Sequence, residues 1–265
     1  MKHSKMNIML VFILLFGTIF APTVYAANVG GKKLKIVSLG DSITYGWNLD
    51  EDKSKPSEKA FPNLIGERDH KVTNLSKPGM TSSQLLAAME LDTDYGDAIR
   101  KADIITLNIG SNDLLQTTGI MDMVNGKIPF DRNTVLANYP LAVAQLKVNL
   151  NSIIENIRSK TDAPIILYTL YNPFGFDPTN PLAVMLYGLG QQILPQVNQF
   201  SIAPQAKAGS ILIADAFSAY DGNQAAYILP NDIHPTVEGQ VVLAKLAEEQ
   251  IVELGDKRLK LKFSK

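Results

Sequence analysis

Five short β-rich runs, most of them nearly continuous in apolar residues, punctuate the chain: "KLKIVSLG" (33 to 40), "KVTNLS" (71 to 76), "DIITLNIG" (103 to 110), "PIILYTLY" (164 to 171) and "SILIADAF" (210 to 217). A strand with one solvated face alternates apolar and polar residues, whereas a strand buried on both faces reads as a continuous apolar run. Between the runs, "LAVAQLKVNLNSIIENIR" (141 to 158) and "TVEGQVVLAKLAEEQIVEL" (236 to 254) repeat apolar residues at spacings of three and four, the period of amphipathic helices. Strands alternating with helices predict an α/β fold in which a central, parallel, five-stranded sheet is covered by helices on both faces.

Three stretches depart from that alternation: polar "NLDEDKSKPSEK" (48 to 59), "TTGIMDMVNGKIPFDRN" (117 to 133) and "NPFGFDPTNPLAVMLYGLG" (172 to 190). The last two carry Met121, Met123, Phe174, Phe176, Met185 and Tyr187. Long ordered loops often form lids or binding walls; the alternative is that these side chains simply complete the core. No internal repeat, low-complexity tract or linker divides the chain, which predicts a single domain.

At the amino end, Lys2, His3 and Lys5 precede an apolar run from Ile8 to Phe20, and "VYA" ending at Ala26 offers small residues for cleavage. This is the pattern of a secretory signal peptide over residues 1 to 26, leaving 27 to 265 as an exported, extracellular domain. The apolar run covers about 13 residues, fewer than the roughly 20 that span a bilayer, so no stable transmembrane anchor is expected after cleavage. The chain has no cysteine. That removes a lipid-anchored lipoprotein, disulfides, thiolate metal sites and a cysteine nucleophile together. With 25 Lys and Arg against 26 Asp and Glu, and no strongly basic run, nucleic acid is not an expected partner.

Ligands of open parallel sheets collect where the strands end at their carboxyl side, and the residues there are chemically rich. After the first strand comes "GDSITYG", with Gly40, Asp41 and Ser42; after the second, "NLSKPGMTS", with Gly79; after the third, "NIGSNDLL", with Gly110, Asn112 and Asp113; and after the fifth, "LPNDIHPT", with His234. Each is ordinary turn and cap chemistry when taken alone. Asp41 and Asp113 are read here as turn or helix-start acids. The order of the four blocks is more informative than any one of them.

Ser42, Gly79, Asn112 and His234, each at a strand end in this order, resemble the SGNH hydrolases, also called the GDSL lipase and esterase family. The resemblance runs from "VSLGDSITYG" through "NIGSNDLL" to "DIHPTVEGQ". It implies hydrolysis of acyl esters on a flavodoxin-like, three-layer α/β/α sandwich, with Ser42 as nucleophile and His234 as its base. It further implies an oxyanion hole made by the backbone NH of Ser42, the backbone NH of Gly79 and the side-chain amide of Asn112. The implied partner is a small-molecule or lipid ester, with no metal and no cofactor.

The chemistry is consistent with that implication. A serine hydroxyl is a weak nucleophile until an imidazole takes its proton, and the same imidazole later returns the proton to the leaving alcohol. His3 leaves with the signal peptide, and His70, in the charged connection "GERDHKV", reads as solvated, so His234 is the base candidate. The α/β-hydrolase pentapeptide G-x-S-x-G is absent, because Ser42 is followed by Ile43 and Thr44. One well-placed histidine and no cysteine leave too few ligands for a zinc site. Aspartates are plentiful enough that residue type alone leaves a paired-carboxylate glycosidase open.

The family pattern places its acid three residues before the histidine, and here that position is Asn231. Asp232 stands one residue later. Pro235 pushes His234 toward the extended region, where residues i and i+2 point to the same side. Asp232 is therefore the expected acid, with Asn231 and Asp215 as the alternatives. Two enzyme readings follow, a lipase-like carboxylesterase and an O-acetyl esterase of cell-wall or other polysaccharides, and the apolar residues of 117 to 133 and 172 to 190 favour the first. The non-catalytic alternative is an exported glycan- or lipid-binding protein.

Overall fold

The computed structural model describes residues 33 to 263, with 69 and 209 excepted. The expected signal peptide lies outside the described residues. Strands β1 (Lys35–Gly40), β2 (Lys71–Asn74), β3 (Ile104–Asn108), β4 (Ile165–Tyr168) and β5 (Ile211–Ala214) form one sheet in the order β2-β1-β3-β4-β5, and every pairing is parallel. Helices α1 (Ser42–Tyr45) and α2 (Phe61–Leu64) follow β1, and α3 (Ser82–Leu91) and α4 (Thr93–Lys101) follow β2. After β3 come α5 (Ser111–Thr117), α6 (Ile120–Val124) and α7 (Arg132–Arg158); after β4 comes α8 (Pro181–Val197). The chain closes with α9 (Ala216–Tyr220), α10 (Gln224–Tyr227) and α11 (Val237–Phe263).

Neighbouring strand residues point to opposite faces, and both faces of β1, β3 and β4 are buried, whereas β2, at the edge of the sheet, is exposed at Lys71 and only partly covered beyond it, contrary to the expected burial of that run. Val37, Leu39, Ile105, Leu107, Ile165 and Leu167 pack into one core with α3, α7 and α8. Ile36, Ile104, Ile166 and Tyr168 pack into the other with α2 and α11. The result is the three-layer α/β/α sandwich with a parallel five-stranded sheet, and its strand order is that of the flavodoxin-like doubly wound folds.

The strands stop a little sooner than the apolar runs do, because polar side chains take over the backbone hydrogen bonding. Asn74 accepts from the amide of Ser76 at 3.1 Å. Asn198 grips both the amide (2.9 Å) and the carbonyl (3.0 Å) of Leu170, and Asp215 caps α9. Helix α7 begins nine residues before the expected start at 141: its cap is Asp131, and Pro140 is carried inside the helix. The stretch 172 to 190 is only half loop, since Asn180 accepts from the amides of Leu182 and Ala183 and starts α8 with Pro181 in its first turn.

His70 is not simply solvated. It is half-buried, and its Nδ1 accepts from the amide of Leu34 at 3.3 Å, so it helps seat the chain entering β1. Gln240 of α11, fully buried, accepts from the amide of Phe61 at 2.8 Å and donates to the carbonyl of Ile43 at 3.0 Å. This one side chain ties α1 and α2 to the helix on the outer face, and α1 begins at Ser42.

Candidate active site

Ser42 is the first residue of α1, separated from the end of β1 by Asp41 alone. Asp41 accepts from the amide of Ile43 at 2.9 Å and thereby caps α1, which turns the chain sharply at Ser42. The Ser42 Oγ stands 3.0 Å from His234 Nε2, and His234 Nδ1 stands 2.6 Å from Asp232 Oδ1. All three side chains are largely covered, with Ser42 8 % exposed and the His234 and Asp232 side chains 13 % and 19 %. The structure therefore brings together residues 42, 232 and 234 in one line of polar contacts.

The loop bearing His234 is held from several sides. The amide of Leu229 donates to the carbonyl of His234 at 2.9 Å, the amide of Thr236 donates to the carbonyl of Tyr227 at 2.8 Å, and Tyr171 donates its hydroxyl to the carbonyl of Ile233 at 3.1 Å. Asp232 Oδ1 also accepts from the amides of Ile233 (2.6 Å) and His234 (3.3 Å), while its Oδ2 accepts from Asn48 Nδ2 at 2.7 Å. Burial pushes the Asp232 carboxyl up, but the Asn48 amide, the neighbouring His234 and the Ile233 amide together hold it below the ordinary carboxylate range. Asn231 sits in the left-handed region at φ 57. Asp215 accepts from Thr169, from the amide of Ser218 and from its hydroxyl, and His234 Nδ1 meets Asp232 rather than Asn231 or Asp215.

Asn112, at the start of α5, directs its Nδ2 to the carbonyl of Met80 at 3.1 Å and to Asp41 Oδ2 at 3.4 Å. The β1, β2 and β3 ends thus meet around this one amide. Gly79, next to Met80, has φ 76, and a Cβ there would meet nothing within 4 Å. Glycine is demanded at this position by the left-handed backbone rather than by crowding. At Gly110, by contrast, a Cβ would press to 2.8 Å on Leu146, and φ is 124, so the turn into α5 is closed to other residues on both grounds.

Asp41 is fully buried, and burial pushes its carboxyl up to about 7, aided by the nearby charge of Asp113 and opposed by the Ile43 amide. Asp113 is more than a helix-start acid: it is buried and accepts from both the amide (2.9 Å) and the hydroxyl of Ser82. Asn149 of α7 in turn donates to Ser82 Oγ at 2.8 Å, which locks α3, α5 and α7 beneath the site.

Ser42, Asn112 and His234 face a pocket whose walls are apolar. Leu114 and Leu115 come from α5, Ile120 from α6, and Leu186, Leu189 and Ile193 from α8. Of the apolar residues singled out in the two long stretches, Phe174 lines this pocket, whereas Phe176 and Met185 point to solvent at 60 % and 44 % exposure. Met123 is buried in the core. The stretch 172 to 190, expected as a binding wall, does supply Leu186 and Leu189; the sequence did not point to Asn48, to Tyr171, or to the continuation of that wall as a helix through Ile193. For Asn48 no local signal exists, because its partner is 184 residues away; for α8, the Asn-Pro start at 180 and 181 was the available clue. Among the described residues, no group of three or more His, Asp or Glu side chains is arranged to hold a metal ion.

A serine, an imidazole and a carboxylate in hydrogen-bonding sequence beside an apolar pocket is an arrangement suited to acyl transfer. Comparison with known proteins agrees. The chain is 24 % identical over 220 residues to the spore germination lipase LipC of Bacillus licheniformis, an alignment covering 80 % of this chain and 93 % of that protein. Its fold is shared with the lipase Lip_vut3 from a goat rumen metagenome (TM-score 0.62, 22 % identity, 82 % of this chain and 97 % of that one) and with an extracellular lipase from Streptomyces rimosus (TM-score 0.62, 19 % identity, 82 % and 98 %). The family model of the GDSL-like lipases and acylhydrolases matches residues 38–242, a span that begins inside β1 and ends beyond His234. The chain accordingly belongs to the GDSL-like lipase/acylhydrolase family and is an ester hydrolase.

Proposed function

We propose that this protein is an exported serine esterase that cleaves carboxylic esters with extended apolar acyl groups, using Ser42 as nucleophile, His234 as general base and acid, and Asp232 as the orienting carboxylate. The observation that carries the reading is the continuous contact from Asp232 Oδ1 through His234 to Ser42 Oγ, at 2.6 and 3.0 Å, beside a pocket walled by Leu186, Leu189 and Ile193.

In this reading Ser42 Oγ attacks the ester carbonyl carbon while His234 Nε2 takes the hydroxyl proton. The carbonyl oxygen becomes an oxyanion held by the amides of Ser42 and Gly79 and by Asn112 Nδ2, donors of the kind worth about a hundredfold to a thousandfold each in rate. Collapse of the tetrahedral adduct breaks the bond to the alcohol oxygen, which leaves with the proton from His234. Water then attacks the acyl-serine by the same route, giving the carboxylic acid and restoring Ser42. Asp232 stays ionised throughout and stabilises the imidazolium, a task suited by its lowered proton affinity.

Export is supported by the charged and apolar pattern of residues 1 to 26. Intact mass of the protein recovered from culture medium tests it, with an amino terminus at Ala27 expected and an intact leader on a cell-bound protein counting against it.

The chemical test is a nitrophenyl ester series from acetate upward on purified protein, with acetylated glycan as a second substrate and Ser42→Ala as control. Turnover that rises beyond acetate and vanishes in Ser42→Ala is expected. Steep loss beyond acetate with release of acetate from glycan would instead make it an O-acetyl esterase. Ligand binding without turnover, unaffected by Ser42→Ala, would make it a binding protein.

A further inference from the structure

The polar loop after α1 reaches the candidate site through one side chain. Asn48 Nδ2 lies 2.7 Å from Asp232 Oδ2, on the carboxylate oxygen that His234 does not use, and Lys53 Nζ lies 2.7 Å from Asn48 Oδ1. We propose that Asn48 is a positioning residue for the Asp232 carboxylate, and that Lys53 fixes the sense of its amide. This inference rests on the Ser42, His234 and Asp232 reading of the mechanism.

The donor and acceptor inventory dictates the orientation. An ammonium can only donate, so the atom facing Lys53 must be the amide oxygen, and the atom facing Asp232 must then be the NH2. A reversed amide would set oxygen against carboxylate and NH2 against ammonium. Lys53 is itself held: its carbonyl accepts from the Tyr45 hydroxyl at 2.9 Å, and its ammonium lies 4.6 Å from the centre of the Trp47 ring. Tyr45 belongs to α1, the helix that begins with Ser42, so the loop links the nucleophile's own helix to the acid's outer oxygen.

The backbone of Asn48 is specialised for this reach. It adopts φ 68, a left-handed conformation that most side chains avoid and that asparagine tolerates best after glycine. A carboxylate bonded at one oxygen alone can swivel about its Cβ–Cγ bond, whereas one bonded at both is fixed in plane and angle. Of the influences that lower the Asp232 proton affinity against its burial, the Asn48 hydrogen bond is the largest.

A double-mutant cycle on kcat tests the proposal. Asn48→Gly removes the amide while suiting the left-handed backbone, so the loop can keep its course; melting temperatures of all variants verify folding. Asn48→Gly is expected to lose about tenfold in kcat at little-changed KM, and to cost nothing further in an Asp232→Ala background, because residues acting as a unit are not additive. Full kcat in Asn48→Gly, or the same fold-loss in both backgrounds, would overturn it. An Asp232→Ala variant with near-normal kcat would remove the underlying mechanism as well; a crippled Asp232→Ala with an additive cycle would remove this inference alone. Lys53→Met is expected to lose part of the same factor and Lys53→Arg to recover it, and an unchanged Lys53→Met would take Lys53 out of the assignment.

Discussion

Asp232 and His234 are separated by a single residue, and their side chains meet at 2.6 Å between Oδ1 and Nδ1 while the amide of His234 turns back to the same oxygen at 3.3 Å. So short a separation works because the chain bends here rather than running extended: residues 232 to 234 curve around the Asp232 carboxylate, whose Oδ1 accepts from the amides of Ile233 and His234, before Pro235 pairs with Ile228 in an antiparallel bridge. The position three before the histidine, where the family pattern places its acid, is occupied by Asn231 in a left-handed turn. The carboxylate that meets His234 thus stands one position later than the family pattern places its acid.

Asp232→Ala is expected to lower kcat about a thousandfold or more on a soluble ester. Asn231→Ala and Asp215→Ala should stay within several-fold of the parent. Asp215→Ala removes the cap of α9 and should cost about 1 kcal/mol of stability instead, visible in a urea melt. A near-normal Asp232→Ala beside a crippled neighbour would reassign the acid.

Asn112→Ala should lower kcat about a hundredfold to a thousandfold with little change in KM, because an oxyanion donor acts chiefly on the transition state. Asn112→Asp should be worse than Asn112→Ala, since a carboxylate would face the developing negative charge and also Asp41, whose Oδ2 lies 3.4 Å from the native amide nitrogen. Equal kcat for the two variants would argue against an oxyanion role.

The sheet was legible because strands buried on both faces read as mostly apolar runs: Ile36 and Ile104 serve one core while Val37, Leu39, Ile105 and Leu107 serve the other, and the two polar residues among them, Ser38 and Thr106, are buried and bonded to each other at 2.8 Å. The convergence of Ser42, Asn112 and His234 on one pocket was legible because each lies in a short local block beyond a strand. What the sequence withheld depends on tertiary contact or on the strength of a cap. Asn48 meets Asp232 only in the folded chain. Pro140 reads as a helix stop, yet α7 passes through it because Asp131 starts the helix a full two turns earlier and Val135 and Leu146 pack on either side of it. His70 sits in a charged segment, and its contact with Leu34 is 36 residues distant.

Stability should depend on pH through Asp41. Its folded carboxyl titrates at about 7 against an ordinary value of 3.8, so between those values the folded state keeps a proton that the unfolded chain has lost. Stability therefore falls as pH rises through this window, by up to about 1.4 kcal/mol per unit, and levels off once both states are ionised. Asp41→Asn retains a capping oxygen for the Ile43 amide and removes the titration. Urea melts should show the parent losing ground to Asp41→Asn from about pH 4 to about pH 7, with a constant difference above. A difference independent of pH would mean that Asp41 is ionised throughout.

Acyl preference should be set by α8. Leu189 and Ile193 lie one turn apart on its pocket face and are 3 % and 5 % exposed, so a larger side chain at either has only the pocket to enter. Each acyl methylene shut out of an apolar wall forfeits about 0.8 kcal/mol of binding, and two or three such groups amount to about tenfold or more in kcat/KM. Ile193→Trp should therefore lower kcat/KM for long-chain nitrophenyl esters by that factor while leaving the acetate within about twofold. The acetate is the internal control, because its acyl group ends at the carbonyl carbon's first neighbour and reaches no further than the residues around Ser42. If long and short esters fell together, the substitution would have disturbed the catalytic groups; if neither fell, the acyl chain would lie elsewhere than against α8.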